Sequence, residues 1–303
     1  MGSGLFGDEI LTERKKGALL LLSAYMLWGV LPIYWKALFS LDPVEILAHR
    51  ILWSMVIAFI TVAAQKKFRQ TAEIILHDHK TMLALSAASL MITFNWGLFI
   101  WAVNNGMILA TSLGYFINPL MSIVFGMVFF HEKLSRPQRF AIILAVTGVC
   151  SEIVSVGRLP YVSLALALSF GSYGVIKKLV KAEAMVGLFI ETLVAAPFAL
   201  FWLIHAQQSG TAHFPYNIFI LLLLIGTGVV TNIPLAFFAY ALRRIPLTMA
   251  GFIQYASPTL TFIIGIFVYG EKLAFSRIIT FAFIWTALAI YTADTFLRRE
   301  QRS

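Results

Sequence analysis

The sequence predicts an all-α integral membrane protein of ten transmembrane helices, arranged as two inverted five-helix repeats. Three observations predict it: an apolar composition, ten apolar runs of spanning length, and a pair of motifs that recurs at one fixed offset. Hydrophobic residues make up 60% of the 303 residues and charged residues 12%. A soluble domain is nearer ~45–50% and ~25%, and the mean hydropathy of +0.85 points the same way. There is too little polar surface to cover a soluble globule, which excludes a soluble enzyme. A single cysteine, Cys150, excludes a disulfide scaffold and reads as a small packing residue.

A helix needs about 20 mostly apolar residues to cross the hydrocarbon core. The first such run, 17–37, is too long for a cleaved signal segment, and Lys36 at its end is expected to snorkel. The second run, 45–64, carries Glu45, His49 and Arg50. The third is 82–103, the fourth 108–130 and the fifth 138–156. The sixth, 160–180, ends in Lys177 and Lys178, which are also expected to snorkel. The seventh, 185–204, carries Glu191. The eighth, ninth and tenth are 216–241, 248–269 and 277–296. Glu152 and Asp294 sit at span ends and are expected at the interface. The loops are short, which argues against a large extramembrane domain.

Placing both termini in the cytoplasm tests this topology. It puts 18 of the 23 Lys and Arg residues in cytoplasmic segments and three (Arg158, Lys272, Arg277) outside; Lys36 and Arg50 fall in or near spans. Such a bias is the positive-inside rule. It accounts for the net charge of +9 without a nucleic-acid partner.

The repeat appears as Gly114-Tyr115-Phe116-Ile117-Asn118-Pro119-Leu120 followed by His131-Glu132-Lys133-Leu134. It is echoed by Gln254-Tyr255-Ala256-Ser257-Pro258 followed by Gly270-Glu271-Lys272-Leu273. One offset aligns Pro119 with Pro258 and Glu132 with Glu271. It also aligns a helical face: Ser112, Tyr115, Pro119, Ser122 and Gly126 with Gly251, Gln254, Pro258, Thr261 and Gly265. Small and polar residues at this spacing avoid lipid and face protein or water. An odd number of spans per copy, five, turns the second copy upside down. That is the plan of many secondary transporters, with the site at the midplane between halves. The copies are expected at 1–156 and 157–303. Pro119 and Pro258 each remove a backbone donor and free the carbonyl four residues back, so they are expected to bend their helices, either as functional hinges or as structural kinks.

Several stretches resemble a known family. They are Ala24-Tyr25-x-x-Trp28-Gly29, the run Asn95–Asn105, Ser112–Leu120 and Tyr269-Gly270-Glu271-Lys272. Over essentially the whole chain they are similar to the RarD-type permeases, in the EamA branch of the drug/metabolite transporter superfamily. The resemblance implies a bacterial inner-membrane carrier, both termini cytoplasmic, with two EamA repeats around a central cavity. Family members with known roles mostly export amino acids, metabolites or drugs, and the RarD-type name is associated with chloramphenicol. His131 stands where the second copy has Gly270, which marks the turn of the first copy as a departure.

Charges inside a span mark sites or braces, because each costs roughly 2.5–3.5 kcal/mol on insertion scales. Glu45 and His49 stand one turn apart and can pair. Arg50 either binds a substrate anion or snorkels toward Asp42. Glu191 either binds a cation, carries a coupling proton, or braces the bundle. The aromatic and amide residues near small or polar neighbours are candidate substrate contacts: Tyr25, Trp28, Asn95, Trp96, Trp101, Tyr115, Asn118, Tyr173, Asn232, Gln254 and Tyr255. For each of these, plain packing is the competing reading. No catalytic or nucleotide-binding motif is present, and the histidines at 77, 79, 131, 205 and 213 read as loop residues without ligand spacing. The chain thus reads as a secondary carrier for small amphipathic molecules, not an enzyme. It is expected to need no cofactor or metal, to use protons as a candidate coupling ion, and to be a monomer or homodimer. A lipid flippase and an intramembrane enzyme are the alternatives.

Overall fold

The computed structural model describes residues 2–105, 107–156, 160–213, 215–270 and 275–300. These residues are helical apart from their connections. The order is α1 Gly2–Lys36, α2 Pro43–Ala64, α3 Phe68–Leu76, α4 His79–Asn104, α5 Ile108–Phe130 and α6 Arg136–Val156. It continues with α7 Tyr161–Leu179, α8 Ala184–Gln208, α9 Ile218–Leu242, α10 Leu247–Gln254, α11 Ala256–Phe267 and α12 Phe275–Glu300. Ten spans among the described residues are long and apolar enough to cross a bilayer, with α10 and α11 together forming one of them. The short α3 adds an amphipathic turn between the second and third spans. Helix α8 runs on to Gln208, so His205 is helical and not in a loop as expected.

Local chemistry sets the boundaries. Asp42 caps α2, accepting from the backbone N–H of Val44 at 2.8 Å and Glu45 at 3.3 Å, with Pro43 at the first helical position. Asn217 caps α9 through the N–H of Ile220. Helix α5 ends at His131 with φ 51°, and the span containing α11 ends near Gly270 with φ 65°. The two copies therefore make the same left-handed turn, although only glycine adopts it without steric cost. The departure noted at His131 changes the residue and not the backbone.

Pro258 interrupts its helix and Pro119 does not. The ninth span breaks at Tyr255 into α10 and α11, with Pro258 in the first turn of α11. Helix α5 continues through Pro119.

The packing repeats under a shift of five spans. Helix α6 lies on α12, α2 on α8, and α5 on α10, each helix beside its own counterpart. The pair α5–α7 is matched by α11–α1, α4–α7 by α9–α1, and α2–α9 by α8–α4. Two groups result: α4, α5 and α7, and α1, α9 and α10–α11. Glycines allow the closest crossings. A Cβ on Gly228 would sit 2.5 Å from the carbonyl oxygen of Trp53, and one on Gly251 would sit 2.5 Å from that of Pro119. One buried cluster joins the two groups and includes Tyr25, Tyr173, Leu235, Phe238 and Leu247.

Candidate functional site

The two stripes of small and polar residues meet, but over half their length. Ser122 donates to the Gln254 side chain at 3.2 Å, Gly126 lies against Thr248, and Gly251 against Pro119. All of these contacts lie on the side of the bundle where residues 131–135, 179–183 and 243–246 cluster, here called the basic end. Beyond them the stripes part. Helix α11 leans onto α1, with Thr261 donating to the Gly29 carbonyl at 3.1 Å, while Tyr115 on α5 is left 49% exposed.

The basic end is closed by polar contacts between the two groups. The Glu132 carboxylate accepts from the backbone N–H groups of Leu247 at 2.7 Å and Thr248 at 2.8 Å. These are free donors of the first turn of α10. The Lys178 ammonium stands 3.8 Å from Glu132 and donates to the carbonyls of Leu242 and Ile245. Arg243 donates to the carbonyls of Lys181 and Ala182, and burial pushes its guanidinium down from its ordinary value. Above this lies an aromatic plug. Tyr25, Trp28, Phe170, Tyr173 and Phe238 meet ring to ring, with Tyr173 and Phe238 stacked at 5.9 Å.

Toward the other end, Arg50 reaches from α2 into the space between the groups. Its Nε donates to the Thr231 hydroxyl on α9 at 2.8 Å. Its guanidinium carbon lies 3.9 Å from the Trp96 ring centre on α4 and 5.4 Å from that of Trp35 on α1. The Tyr115 ring on α5 lies 6.0 Å from that of Phe99 on α4. One turn further out, a groove of about 240 Å³ opens between α2 and α4, lined by Val44, Leu47, Gly97, Ile100, Trp101 and Asn105.

At the mouth of this end, Glu45 is fully buried. It accepts from the His213 backbone at 3.2 Å, pairs with the His213 ring at 2.6 Å and receives the Tyr216 hydroxyl. Tyr216 in turn pairs with His49 at 3.0 Å. Glu45 and His49 are thus bridged through Tyr216 and not paired directly. Burial, followed by its bond to Glu45, pushes the Tyr216 hydroxyl above its ordinary range.

The sequence-predicted residues fall into three sets. Trp96, Tyr115 and Arg50 come together at the open space, and Trp101 lines the groove beside it. Tyr25, Trp28 and Tyr173 form the plug. The rest serve helix contacts. Asn95 donates to the Leu166 carbonyl at 2.8 Å and the Ser169 hydroxyl at 2.9 Å. Asn232 donates to the Ser54 carbonyl at 2.8 Å. Tyr255 donates to the Phe116 carbonyl at 3.3 Å. Gln254 meets Ser122, and Asn118 is buried with its side-chain oxygen unpaired. Glu191 lies in an ion pair with Lys177 at 2.5 Å and receives the Tyr173 hydroxyl at 3.1 Å.

Two expectations, on Lys177 and His205, are corrected. Lys177 does not snorkel: it is 4% exposed, because Glu191 offers a buried anion within reach. Glu152 and Asp294 lie at their span ends, as expected, and are buried there against Thr280 and Ser135 between α6 and α12. His205 is helical, as stated. Lys36 lies at its span end, over the Tyr269 ring at 3.9 Å. Glu271, Lys272, Leu273 and Arg158 lie outside the described residues. Sequence reasoning missed Trp35, Thr231 and the bridging pair His213 and Tyr216. Thr231 beside Asn232 in an apolar span was the available signal; the others looked like interfacial or loop residues.

Comparisons with known proteins agree with this architecture. The model of the EamA-like transporter family matches twice, at residues 15–151 and 160–293. Protein RarD of Escherichia coli K12 is 42% identical over 294 residues, covering 96% of this chain and 98% of that protein. The uncharacterized transporter YojE of Bacillus subtilis is 40% identical, covering 92% and 94%. The chloramphenicol-sensitive protein RarD of Pseudomonas aeruginosa is 31% identical, covering 95% and 97%. One solved crystal structure superposes with a TM-score of 0.70 at 15% identity, covering 92% of this chain and 98% of its own, a likeness of fold. With ten spans, two matches of one family model and near-full-length relatives, the chain belongs to the EamA-like transporter family as a RarD-type, multi-pass bacterial membrane transporter.

Proposed function

We propose that the protein is a secondary carrier, built from two inverted halves at residues 1–156 and 157–303, that moves a small amphipathic solute by alternating access. The observation that carries this is the unequal meeting of the two repeated stripes: joined at the basic end from Gly126 to Pro119, parted where Tyr115 stands exposed. The positive-inside rule puts the basic end, and both termini, in the cytoplasm. This conformation then faces outward. The groups α4–α5–α7 and α1–α9–α10–α11 rock about the midplane, and Arg50, Trp96 and Tyr115 meet the solute between them. The break at Tyr255 is where the α10–α11 span flexes.

The test is thiol labelling in a Cys150→Ser background. Tyr115→Cys should react with an impermeant maleimide added outside, and Ala250→Cys, buried at the basic end, should react slowly from inside. A transported solute should change the two rates in opposite directions. Equal rates from both sides would describe a channel, and rates that solute never changes would remove the carrier mechanism.

A further inference from the structure

Among the described residues each buried or half-buried carboxylate in the bundle has a partner of its own. Glu45 is held by His213 and Tyr216, Glu191 by Lys177 and Tyr173, Glu132 by the first turn of α10. Glu152 meets Thr280 and Asp294 meets Ser135. Lys177 is matched by Glu191 and Lys178 by Glu132 and two carbonyls. Arg50 differs. Among the described residues it forms no ion pair. Its surroundings are a hydroxyl on Nε and two indole rings, all neutral. Among the described residues its two terminal nitrogens make no hydrogen bond, although a cation at this depth is costly without compensation. Thr231 fixes the plane of the guanidinium by holding Nε, which leaves the outer edge with two parallel N–H donors. That fork matches a carboxylate in bidentate geometry.

Resting on the carrier reading above, we propose that Arg50 is an anion receptor and that the solute is an organic monocarboxylate with an apolar or aromatic body. The walls select the body: Trp96 on one group, Trp35 on the other, and Tyr115 with Phe99 at 6.0 Å behind it. One guanidinium with no second cation beside it matches a single negative charge. A phosphate dianion would leave a charge uncompensated among aromatic rings. Closure of the open end brings the groups that carry Trp96 and Trp35 together, which seals the neutralised pair from water.

The test uses the full chain in nanodiscs and follows tryptophan fluorescence during titration with 3-phenylpropionate, its neutral isostere 3-phenylpropionamide, and inorganic phosphate. The acid should quench saturably, the amide should bind at least tenfold more weakly, and phosphate should neither quench nor displace the acid. Arg50→Gln should abolish the preference for the acid, and Arg50→Lys should weaken acid binding about tenfold, since an ammonium lacks the fork. Thr231→Val keeps the charge and loosens its orientation; it should weaken the acid several-fold and leave the amide unchanged, and it reports if Arg50→Gln fails to fold. Absence of acid binding to the wild type, equal binding of amide and acid, displacement by phosphate, or acid binding untouched in Arg50→Gln would each overturn the proposal. Opposed labelling at positions 115 and 250 together with any of these results would leave the carrier standing and remove only the solute class.

Discussion

The carboxylate of Glu132 holds the backbone N–H of Thr248 at 2.8 Å, tying the end of the fourth span to the start of the ninth. Glu132 stands at a turn that the sequence duplicates at Glu271, and the contact joins the two groups of helices across the basic end. Hydrogen bonds to charged groups contribute about 1.5–3 kcal/mol each, and ~1.4 kcal/mol is tenfold in a population. Glu132→Ala should therefore open the basic end at least tenfold more often, read as faster labelling of Ala250→Cys from the cytoplasmic side. Unchanged labelling would mean that the aromatic plug alone holds this end shut.

Lys177 and Glu191 form a buried pair at 2.5 Å. Removing one partner of such a pair leaves an uncompensated charge and typically costs about 3–5 kcal/mol. Glu191→Gln or Lys177→Met should lower the melting temperature in detergent markedly. The double change Lys177→Met with Glu191→Leu should recover much of the loss. Additive losses would show that the two residues act separately.

The crossing of α5 and α10 depends on Gly251, where an added Cβ would stand 2.5 Å from the Pro119 carbonyl oxygen. Overpacking of this kind costs about 1–3 kcal/mol. Gly251→Val should reduce folded protein in the membrane. Gly97→Val, where nothing lies within 4 Å of an added Cβ, is the control and should be tolerated.

Outside the bilayer, Asp78 caps α4 by accepting from the Thr81 backbone at 3.0 Å. Hydrogen bonds from Thr81, side chain first and backbone second, hold its carboxyl below the ordinary carboxylate range. A depressed pKa contributes stability that is present above the ordinary carboxylate pKa and lost as pH falls through the folded value. Asp78→Asn should therefore destabilise slightly at neutral pH and lose its difference from wild type in strong acid. A difference that grows on acidification would contradict this assignment.

The fold was legible in the sequence because each apolar run is long enough to commit its segment to the bilayer, and the fourth run, 108–130, matches α5 residue for residue. The turn at His131 was harder to read: histidine hides a left-handed conformation that Gly270 advertises. The site was partly legible. Arg50, Trp96 and Tyr115 are unusual residues for a span, and they do converge. The amides are harder to read, because Asn95 and Asn232 have the same composition whether they bind a solute or tie two helices; in this conformation each donates to a neighbouring helix. Lys177 looked like a span-end lysine because its partner, Glu191, lies on another helix and no local spacing connects them. His213 read as a loop residue and Tyr216 as the first residue of a span, and only the approach of α2 shows that they bury Glu45.

The central claim is that two groups of helices close one end while opening the other. Two spin-label pairs measure it directly: Lys15→Cys with Lys133→Cys at the basic end, and Ala37→Cys with Asn105→Cys at the opposite end, each in a Cys150→Ser background. In pulsed-dipolar spectra the basic-end pair should be short and the opposite pair long in this conformation. A second population should show the reverse, growing at the expense of the first when transported solute is added. Distances at the two ends that lengthen together, or that never exchange, would contradict alternating access between the two groups of helices.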